Sequence, residues 1–406
     1  MKFRRKKSWL ITLIVISTII LGLVIFWPKA PQIPQVVNDI EDLELYLEEL
    51  VDFGTPPGMS LVVVNKEGIV YEKGFGWADN PQMRKASSET VYHWWSITKI
   101  ATAMAIMQLQ EEGKLHLDDS VTQYLPFFDV NYPSLTSQTI SIRMLLNHSS
   151  GIPDAGLKIM KWVHHEGEAH LNQSSMVEEV LPDFSELAFE PGTQSAYTNI
   201  GYMILGAVIE KVTNQSYEDY IRQNILQPLG MKQTDFVYTK EMEPFEAAGS
   251  HPLFDSWTPL VPFLAGSFIR ESSGNHMWFE RIYTDQTPPS GLIGSARDAA
   301  LLVRAYVNKG MLDDVRFLSE EAVALMTHES HVKLAEDPEG YFVRQGIGWQ
   351  IYKDDDGLIL EHTGGGIGFN TIMQIHPEKN LGFILFANDT KCEGWRIIQL
   401  ASSLNW

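Results

Sequence analysis

Ser96 and Lys99 stand three residues apart, and their types and spacing could turn a weak alcohol into a nucleophile. They follow an aromatic run at residues 92–95 and open an apolar stretch at residues 100–107, which predicts a helix. Residues 96 and 99 would then lie one turn apart on one face, at the N-terminal end. The helix dipole and free N–H groups favour developing negative charge there. A buried Lys99 would lose part of its preference for the charged form and could accept the Ser96 proton.

The same S-x-x-K spacing recurs at Ser330 and Lys333, in a polar stretch interpreted as a solvated loop without an apolar helix to desolvate the lysine. Two further motifs follow the first copy, Tyr197-Thr198-Asn199 and His362-Thr363-Gly364. A second Y-x-N, at residues 306–308, ends a helical pattern that is followed by glycine, as is typical of a helix C-terminus. The order S-x-x-K, Y-x-N, H-T-G therefore starts at Ser96.

This order is that of the penicillin-recognising serine hydrolases, and the chain resembles the serine β-lactamase-related family. That family includes class C β-lactamases, low-molecular-weight DD-carboxypeptidases, D-amino-acid peptidases and related esterases. The resemblance covers roughly residues 40–402. Further segments that resemble the family are residues 113–119, 124–126, 144–153, 191–193, 201–202, 228–231 and 291–298.

Acyl transfer needs a nucleophile, a base, an oxyanion hole and groups that hold the substrate. Ser96 is the predicted nucleophile, and Lys99 and Tyr197 share the predicted base role, because a cationic lysine would favour the tyrosine phenolate. Asn199 is interpreted either as a hydrogen-bond partner of the substrate amide or as a helix N-cap.

The resemblance implies that the N–H groups of Ser96 and Gly365 form the oxyanion hole. His362, Thr363 and Gly364 are the predicted substrate-binding residues of that strand. Glycines at residues 364–366 would let a substrate backbone lie close to its edge.

His362 replaces the lysine that many β-lactamases carry at this position. With an unperturbed pKa near 6.5, histidine is mostly neutral at pH 7. Protonation would add a charge-assisted contact to a substrate carboxylate, so acidification is expected to favour carboxylate substrates. Carboxypeptidase-like and D-peptidase-like members of the family carry H-T-G, which favours those activities over efficient β-lactam destruction and leaves esters open.

The predicted fold class is α/β (α+β), of the β-lactamase/transpeptidase type. Helical patterns cover residues 40–50 and 395–404, and residues 114–290 are interpreted as mainly helical and loop-like. We therefore expect an antiparallel sheet built from both chain ends and flanked by helices, with the middle inserted as a second lobe. Residues 240–290, dense in Pro, Phe and Trp, are expected to rim the substrate cleft. Strand-like runs occupy residues 59–64, 69–75, 348–352, 358–362, 371–375 and 382–387.

The N-terminus divides into a basic tail at residues 1–8, an uncharged apolar segment at 9–27 and a proline-rich stalk at 28–38, before the hydrolase domain at 39–406. A helix over residues 9–27 would be about 28 Å long, close to the ~30 Å hydrocarbon thickness. Basic residues before it hold that end in the cytoplasm. The pattern predicts an uncleaved, single-pass signal anchor with the domain on the extracytoplasmic side; cleavage is the alternative.

Residues 30–406 carry 25 basic and 51 acidic residues, a net charge of −26, which disfavours nucleic acid as a partner. The lone Cys392 excludes an intrachain disulfide. His165 and His170 flank a zinc-like pattern, but five residues apart they would not share a helix face. We therefore expect no metal and no cofactor.

Two functions follow from these residues. The first is a membrane-anchored serine hydrolase that works through an acyl-enzyme on Ser96, on D-residue or cell-wall peptides, β-lactams or small esters. The second is a non-catalytic or slowly turning-over penicillin-binding sensor of cell-wall peptide. The presence of Ser96, Lys99, Tyr197 and His362 together favours the enzyme, because a binder need not retain a base. The oligomeric state stays open.

Overall fold

A computed structural model describes residues 30–134, 138–167, 172–328, 332, 344–354 and 357–406. The second S-x-x-K copy (Ser330, Lys333), His170 and the apolar segment at residues 9–27 lie outside this part. The helices are α1 Ile40–Phe53, α2 Thr98–Glu111, α3 Ile142–Leu146, α4 Gln173–Val180, α5 Asn199–Thr213, α6 Tyr217–Ile221, α7 Gln227–Leu229, α8 Val261–Leu264, α9 Thr287–Ser290, α10 Ala296–Val307, α11 Glu320–Met326 and α12 Gly394–Ser402.

The strands are β1 Gly58–Val64, β2 Ile69–Asp79, β3 Arg84–Lys85, β4 Val91–His93, β5 Val163–His164, β6 Thr234–Asp235, β7 Ser250–Pro252, β8 Ile269–Ser273, β9 His276–Phe279, β10 Tyr283–Thr284, β11 Ile293–Ser295, β12 Met311–Leu312, β13 Val315–Arg316, β14 Arg344–Gln345, β15 Gln350–Asp354, β16 Gly357–Gly366, β17 Phe369–His376 and β18 Leu381–Ala387.

The central sheet has eight strands in the order β14-β15-β16-β17-β18-β1-β2-β3. Neighbouring strands in it are antiparallel, and the first strand of the domain lies beside the last, with Met59 opposite Ala387. This confirms the sheet expected from the two chain ends. The predicted strands and terminal helices are present with boundaries shifted by a few residues.

Both faces of the sheet are covered, which explains why every residue of β1 is buried and all but Ser60 are apolar. Leu61 and Val63 pack into a core with α1 and α12, whereas Val62 and Val64 join the larger core on the opposite face. Helix α10 lies on that opposite face, against β1 and β18. A strand buried on both sides has no regular polar alternation, so its sequence is a nearly continuous apolar run.

The second lobe packs around α5, which contacts α2, α3, α4 and α9. Residues 200–209 of this helix are all buried. The expectation of a mainly helical lobe needs one correction, because residues 250–279 contain a three-stranded sheet in the order β7-β9-β8. These strands are only three to five residues long, so their alternation is too short to recognise in a segment rich in Pro and aromatic residues.

The start of the described chain lies on the domain. Val37 is buried in the core formed by α1 and α12, and Ile33 packs against that core. This part of the predicted stalk therefore does not extend away from the domain, since its apolar side chains find a surface to cover. Among the described residues, no helix has both the length and the apolar character that crossing a membrane requires.

Candidate active site

Ser96 lies in a 3₁₀ turn, Trp95–Ile97, between β4 and α2. Trp95 has a φ of +48°, a left-handed backbone conformation that is rare for a bulky residue and common at functional sites. The Trp95 ring stacks on His93, with ring centroids 4.9 Å apart. Residues 91–100 are buried except for Ser96, so the turn presents one hydroxyl at the start of α2.

Lys99 is fully buried, and its amine has three oxygen atoms within hydrogen-bond distance. Nζ lies 3.2 Å from Ser96 Oγ, 2.8 Å from Asn199 Oδ1 and 3.0 Å from the Pro289 carbonyl oxygen. Burial holds the pKa of Lys99 well below its ordinary value, and the negative charge of Asp154 opposes that shift. A neutral amine has two N–H groups and one lone pair. Asn199 and Pro289 can take the two N–H groups, which leaves the lone pair for Ser96.

Tyr197 contacts the nucleophile from the second lobe, where its hydroxyl donates a hydrogen bond of 2.7 Å to Ser96 Oγ. Burial raises the pKa of Tyr197, so the structure favours the phenol over the phenolate expected from the sequence. Desolvation outweighs the attraction of a lysine that is itself driven toward its neutral form. The Tyr197 ring lies on the His148 ring, with centroids 4.5 Å apart.

Asn199 is the first residue of α5, and the N-cap is Thr198, so the N-cap interpretation of Asn199 is wrong. The Asn199 side chain instead accepts from Lys99 through Oδ1 and donates to Asp154 Oδ1 through Nδ2, at 3.2 Å. Both ends of the amide therefore have protein partners. In this structure Asn199 positions Lys99, and a contact to a substrate amide would have to share those partners.

The H-T-G motif lies on β16, whose pairing with β15 stops at Glu361 while its pairing with β17 continues to Gly366. Residues 362–366 thus have one edge without a strand partner among the described residues, and it lies next to the serine turn. A Cβ at Gly364 would lie 2.0 Å from the Trp94 carbonyl oxygen, and one at Gly366 would lie 2.4 Å from the Trp95 ring. A Cβ at Gly365 would meet nothing within 4 Å.

The three glycines therefore have different roles. Gly364 and Gly366 let β16 pack against the serine turn, and only Gly365 faces open space, where a substrate backbone could lie. This corrects the expectation that all three serve the substrate. Thr363 is exposed on the same strand.

His362 is buried, and its Nδ1 is 2.8 Å from the Thr363 carbonyl oxygen, so Nδ1 carries the proton and donates. Burial, reinforced by the charge of Lys99, lowers the pKa of His362 to about 3. The imidazole is therefore neutral across the physiological range. The protonation near pH 6.5 expected from the sequence is wrong for this environment, because an imidazolium would be desolvated beside Lys99.

Sequence reasoning missed two residues of this site, His148 and Asp154. His148 has a φ of +59° and its Nδ1 accepts from the Thr198 N–H at 3.2 Å, which fixes the backbone beside Tyr197. The signal for both was the family-like segment at residues 144–153, which contains His148 and ends directly before Asp154. The described residues contain no group of three or more His, Cys, Asp or Glu side chains that could hold a metal ion.

Residues 44–397 match the model of the Beta-lactamase family, and the chain belongs to that family. It is 28% identical over 357 residues to Protein flp of Staphylococcus aureus strain MW2, which covers 87% of this chain and 64% of that protein. The chain thus spans just under two thirds of the length of this curated relative.

Two other proteins are similar over most of the chain. A protein of Escherichia coli O157:H7 named "Putative D-alanyl-D-alanine carboxypeptidase" is 28% identical over 375 residues, covering 87% of this chain and 82% of that protein. The octameric penicillin-binding protein homologue from Pyrococcus abyssi superposes with a TM-score of 0.72 and 28% identity, covering 90% of this chain and 77% of that chain. These matches agree with the fold and with a family of serine hydrolases.

Proposed function

We propose that the protein is a serine hydrolase that works through an acyl-enzyme on Ser96. The observation that carries the proposal is the position of Ser96 Oγ, which lies 3.2 Å from Lys99 Nζ and 2.7 Å from the Tyr197 hydroxyl. A nucleophile within hydrogen-bond reach of a base, with that base oriented by a third group, is the arrangement that covalent catalysis needs. Here the third group is Asn199.

Acylation begins when the neutral Lys99 amine takes the Ser96 proton and Oγ attacks the substrate carbonyl carbon. The C–O bond forms as the carbonyl π electrons move to oxygen, and the N–H groups of Ser96 and Gly365 are the proposed donors to that oxyanion. Support for Gly365 comes from its exposure at the edge of β16 beside the serine turn.

Collapse of the tetrahedral intermediate breaks the bond to the leaving amine or alcohol, which takes a proton from the Tyr197 phenol. The Lys99 ammonium, with Nζ 4.7 Å from the centroid of the tyrosine ring, stabilises the phenolate. Lys99 then gives the phenolate the proton that it took from Ser96. Water then attacks the acyl carbon while Tyr197 and Lys99 take up its proton. The bond from that carbon to Ser96 Oγ breaks, the acid leaves, and Lys99 returns the proton to Ser96.

The proposed substrates are peptides with D-residues, cell-wall stem peptides, β-lactams or small esters. Membership of the family and the name of the Escherichia coli relative support the peptides. The neutral His362 supports substrates that need no fixed cation at this position. A penicillin-binding sensor would instead keep the acyl group on Ser96 without release.

An active-site serine probe tests the proposal. A fluorophosphonate should label Ser96, and Ser96→Ala should lose the label and lower turnover of p-nitrophenyl esters by orders of magnitude. The melting temperature should stay nearly unchanged, because Ser96 is the one residue of its turn that is not buried and its hydroxyl contributes little to packing. Ser330→Ala is the matched control and should behave as wild type. Retained activity in Ser96→Ala contradicts the proposal, and stable labelling by a fluorescent penicillin without release supports the sensor.

We also propose that residues 9–27 anchor the protein in the cell membrane, with the catalytic domain on the extracytoplasmic side. The support is the apolar, uncharged sequence of this segment and the basic residues before it.

A further inference from the structure

Asp154 follows the family-like segment at residues 144–153 and precedes a 3₁₀ turn, Gly156–Trp162. Its side chain is fixed by three hydrogen bonds although the residue is exposed. Oδ1 accepts from the Asn199 backbone N–H at 2.7 Å and from Asn199 Nδ2 at 3.2 Å, and Oδ2 accepts from the Gly156 N–H at 3.2 Å. The carboxylate therefore lies at the beginning of α5, beside the residue that contacts Lys99.

The contact to Nδ2 determines which way the Asn199 amide faces. A carboxylate only accepts hydrogen bonds, so the NH₂ group of Asn199 must point to Asp154 and its oxygen must point away. That oxygen is the acceptor 2.8 Å from Lys99 Nζ. A reversed amide would place a donor against the N–H groups of Lys99 and would turn its lone pair away from Ser96.

Asp154 also differs in charge from the other groups that face Lys99. The aromatic neighbours of the amine are Tyr197 and Tyr202, whose ring centroids lie 4.7 Å and 5.5 Å from Nζ. His148 and His362 also interact electrostatically with Lys99, and burial lowers the pKa of both imidazoles, which keeps them neutral. Asp154 supplies the negative charge that opposes the desolvation of Lys99.

We propose that Asp154 is a positioning residue for the acylation step, which orients the Asn199 amide and keeps Lys99 basic enough to accept the Ser96 proton. This inference rests on the proposed function of Ser96 and Lys99. It differs from a purely structural role, in which Asp154 only caps α5 in place of the Thr198 side chain, which makes no capping hydrogen bond.

The test uses the full-length protein and the second-order rate of Ser96 labelling by a fluorophosphonate as a function of pH, together with kcat and KM for a neutral p-nitrophenyl ester. Asp154→Asn keeps an oxygen that can cap α5 but removes the charge. Asp154→Glu restores the charge. Asp183→Asn, at an exposed carboxylate in the 3₁₀ turn Leu181–Phe184, is the control for net charge.

In Asp154→Asn we expect the acidic limb of the labelling profile to shift to lower pH by roughly 0.5–1 unit. The reason is that Lys99 loses a negative neighbour that raises its pKa. The kcat should fall roughly tenfold, with KM changed less, because the defect lies in proton transfer. Asp154→Glu should recover part of both effects, and Asp183→Asn should match wild type.

The inference is wrong if Asp154→Asn has the wild-type pH profile of labelling and the wild-type kcat. It is also wrong if activity falls only in proportion to a lower melting temperature while the pH profile stays in place. Ser96→Ala, measured in parallel, separates this result from failure of the proposed function. If Ser96→Ala still labels and turns over, the proposed function has failed. If only Asp154→Asn behaves as wild type, the inference about Asp154 alone has failed.

Discussion

Lys99 is tolerated in the interior because its surroundings suit an amine better than an ammonium. A buried ammonium without a paired carboxylate is strongly disfavoured, and the oxygens within 3.2 Å of Nζ belong to a hydroxyl, an amide and a backbone carbonyl. The same surroundings make the amine a proton acceptor at neutral pH. The residue that is expensive to bury is thus the one that the proposed chemistry uses.

At His362 we expect no titration in the working range. The ratio of kcat/KM for a carboxylate substrate to that for a neutral ester should stay flat between about pH 5 and pH 8, because burial lowers the pKa of His362 to about 3. Mono-p-nitrophenyl succinate and p-nitrophenyl acetate form a suitable pair. Their ratio cancels the protonation of the shared base if acylation limits both.

A ratio that rises on acidification with a midpoint near 6.5 would show that His362 takes up a proton and contradict this prediction. Folding stability offers an independent check. The unfolded chain binds a proton at His362 below about 6.5 whereas the folded chain does not, so this residue lowers stability as pH falls from that value toward 3. Wild type should therefore lose more stability than His362→Asn over that range.

The order of the three motifs, together with the resemblance to the family, predicted Ser96, Lys99, Tyr197 and His362 as residues of one site, and the first three lie close together. Their protonation states could not be predicted, because these depend on burial by residues distant in sequence. The same holds for Asn199, whose partners Lys99 and Asp154 come from two other segments.

At the scale of elements, two glycines, Gly364 and Gly366, allow β16 to lie close to the serine turn. Thr371 of the neighbouring β17 stabilises this packing, because its hydroxyl donates a hydrogen bond of 3.0 Å to the Trp94 carbonyl oxygen. Neither Gly364 nor Gly366 can therefore gain a side chain without a shift of the strand or of the turn that carries Ser96.

Gly366→Ala should destabilise the fold by about 1–3 kcal/mol, the usual range for an overpacked core, because the new methyl group would overlap the Trp95 ring. Gly365→Ala is the matched variant on the next residue and should change the free energy of unfolding by less than about 0.5 kcal/mol. Urea denaturation measures both. Equal stability of the two variants would show that Gly366 does not pack closely on the Trp95 ring.

The elements that the sequence predicted best are those with a long and regular pattern, such as α1 and β18. The sheet β7-β9-β8 was not predicted, because its strands are short and some of their contacts are to residues near the other end of the chain. Ser250 donates to the Asn388 carbonyl oxygen at 2.7 Å, and His276 Nε2 lies 3.2 Å from the buried Asp389 carboxylate. Such contacts have no local signature.

At the scale of the whole molecule, the N-terminal segment and the domain are separable if residues 9–27 act only as an anchor. Deletion of residues 1–29 should give an active protein that stays in the supernatant after membranes are sedimented. The remaining chain keeps Ile33 and Val37, which pack on the domain, so its melting temperature should match that of the detergent-solubilised parent.

Full-length protein should instead sediment with the membranes and resist extraction by high salt, because the proposed attachment is apolar. Recovery of the protein from the medium, with an N-terminus that begins after residue 27, would demonstrate cleavage and disprove the anchor.

Because β1 pairs with β18, the central sheet cannot be completed until nearly the whole chain has been synthesised. The Gly58 N–H donates to Asn388 Oδ1 across 330 residues of sequence. At a synthesis rate of about 5–20 residues per second, an open strand edge on β1 waits roughly 15–65 s for its partner to leave the ribosome. Until then the β1–β2 hairpin exposes one unpaired edge of β1, a strand that is apolar apart from Ser60 and that other chains could join. Completion of the sheet is therefore a late event, and this hairpin is the segment that a chaperone would have to protect.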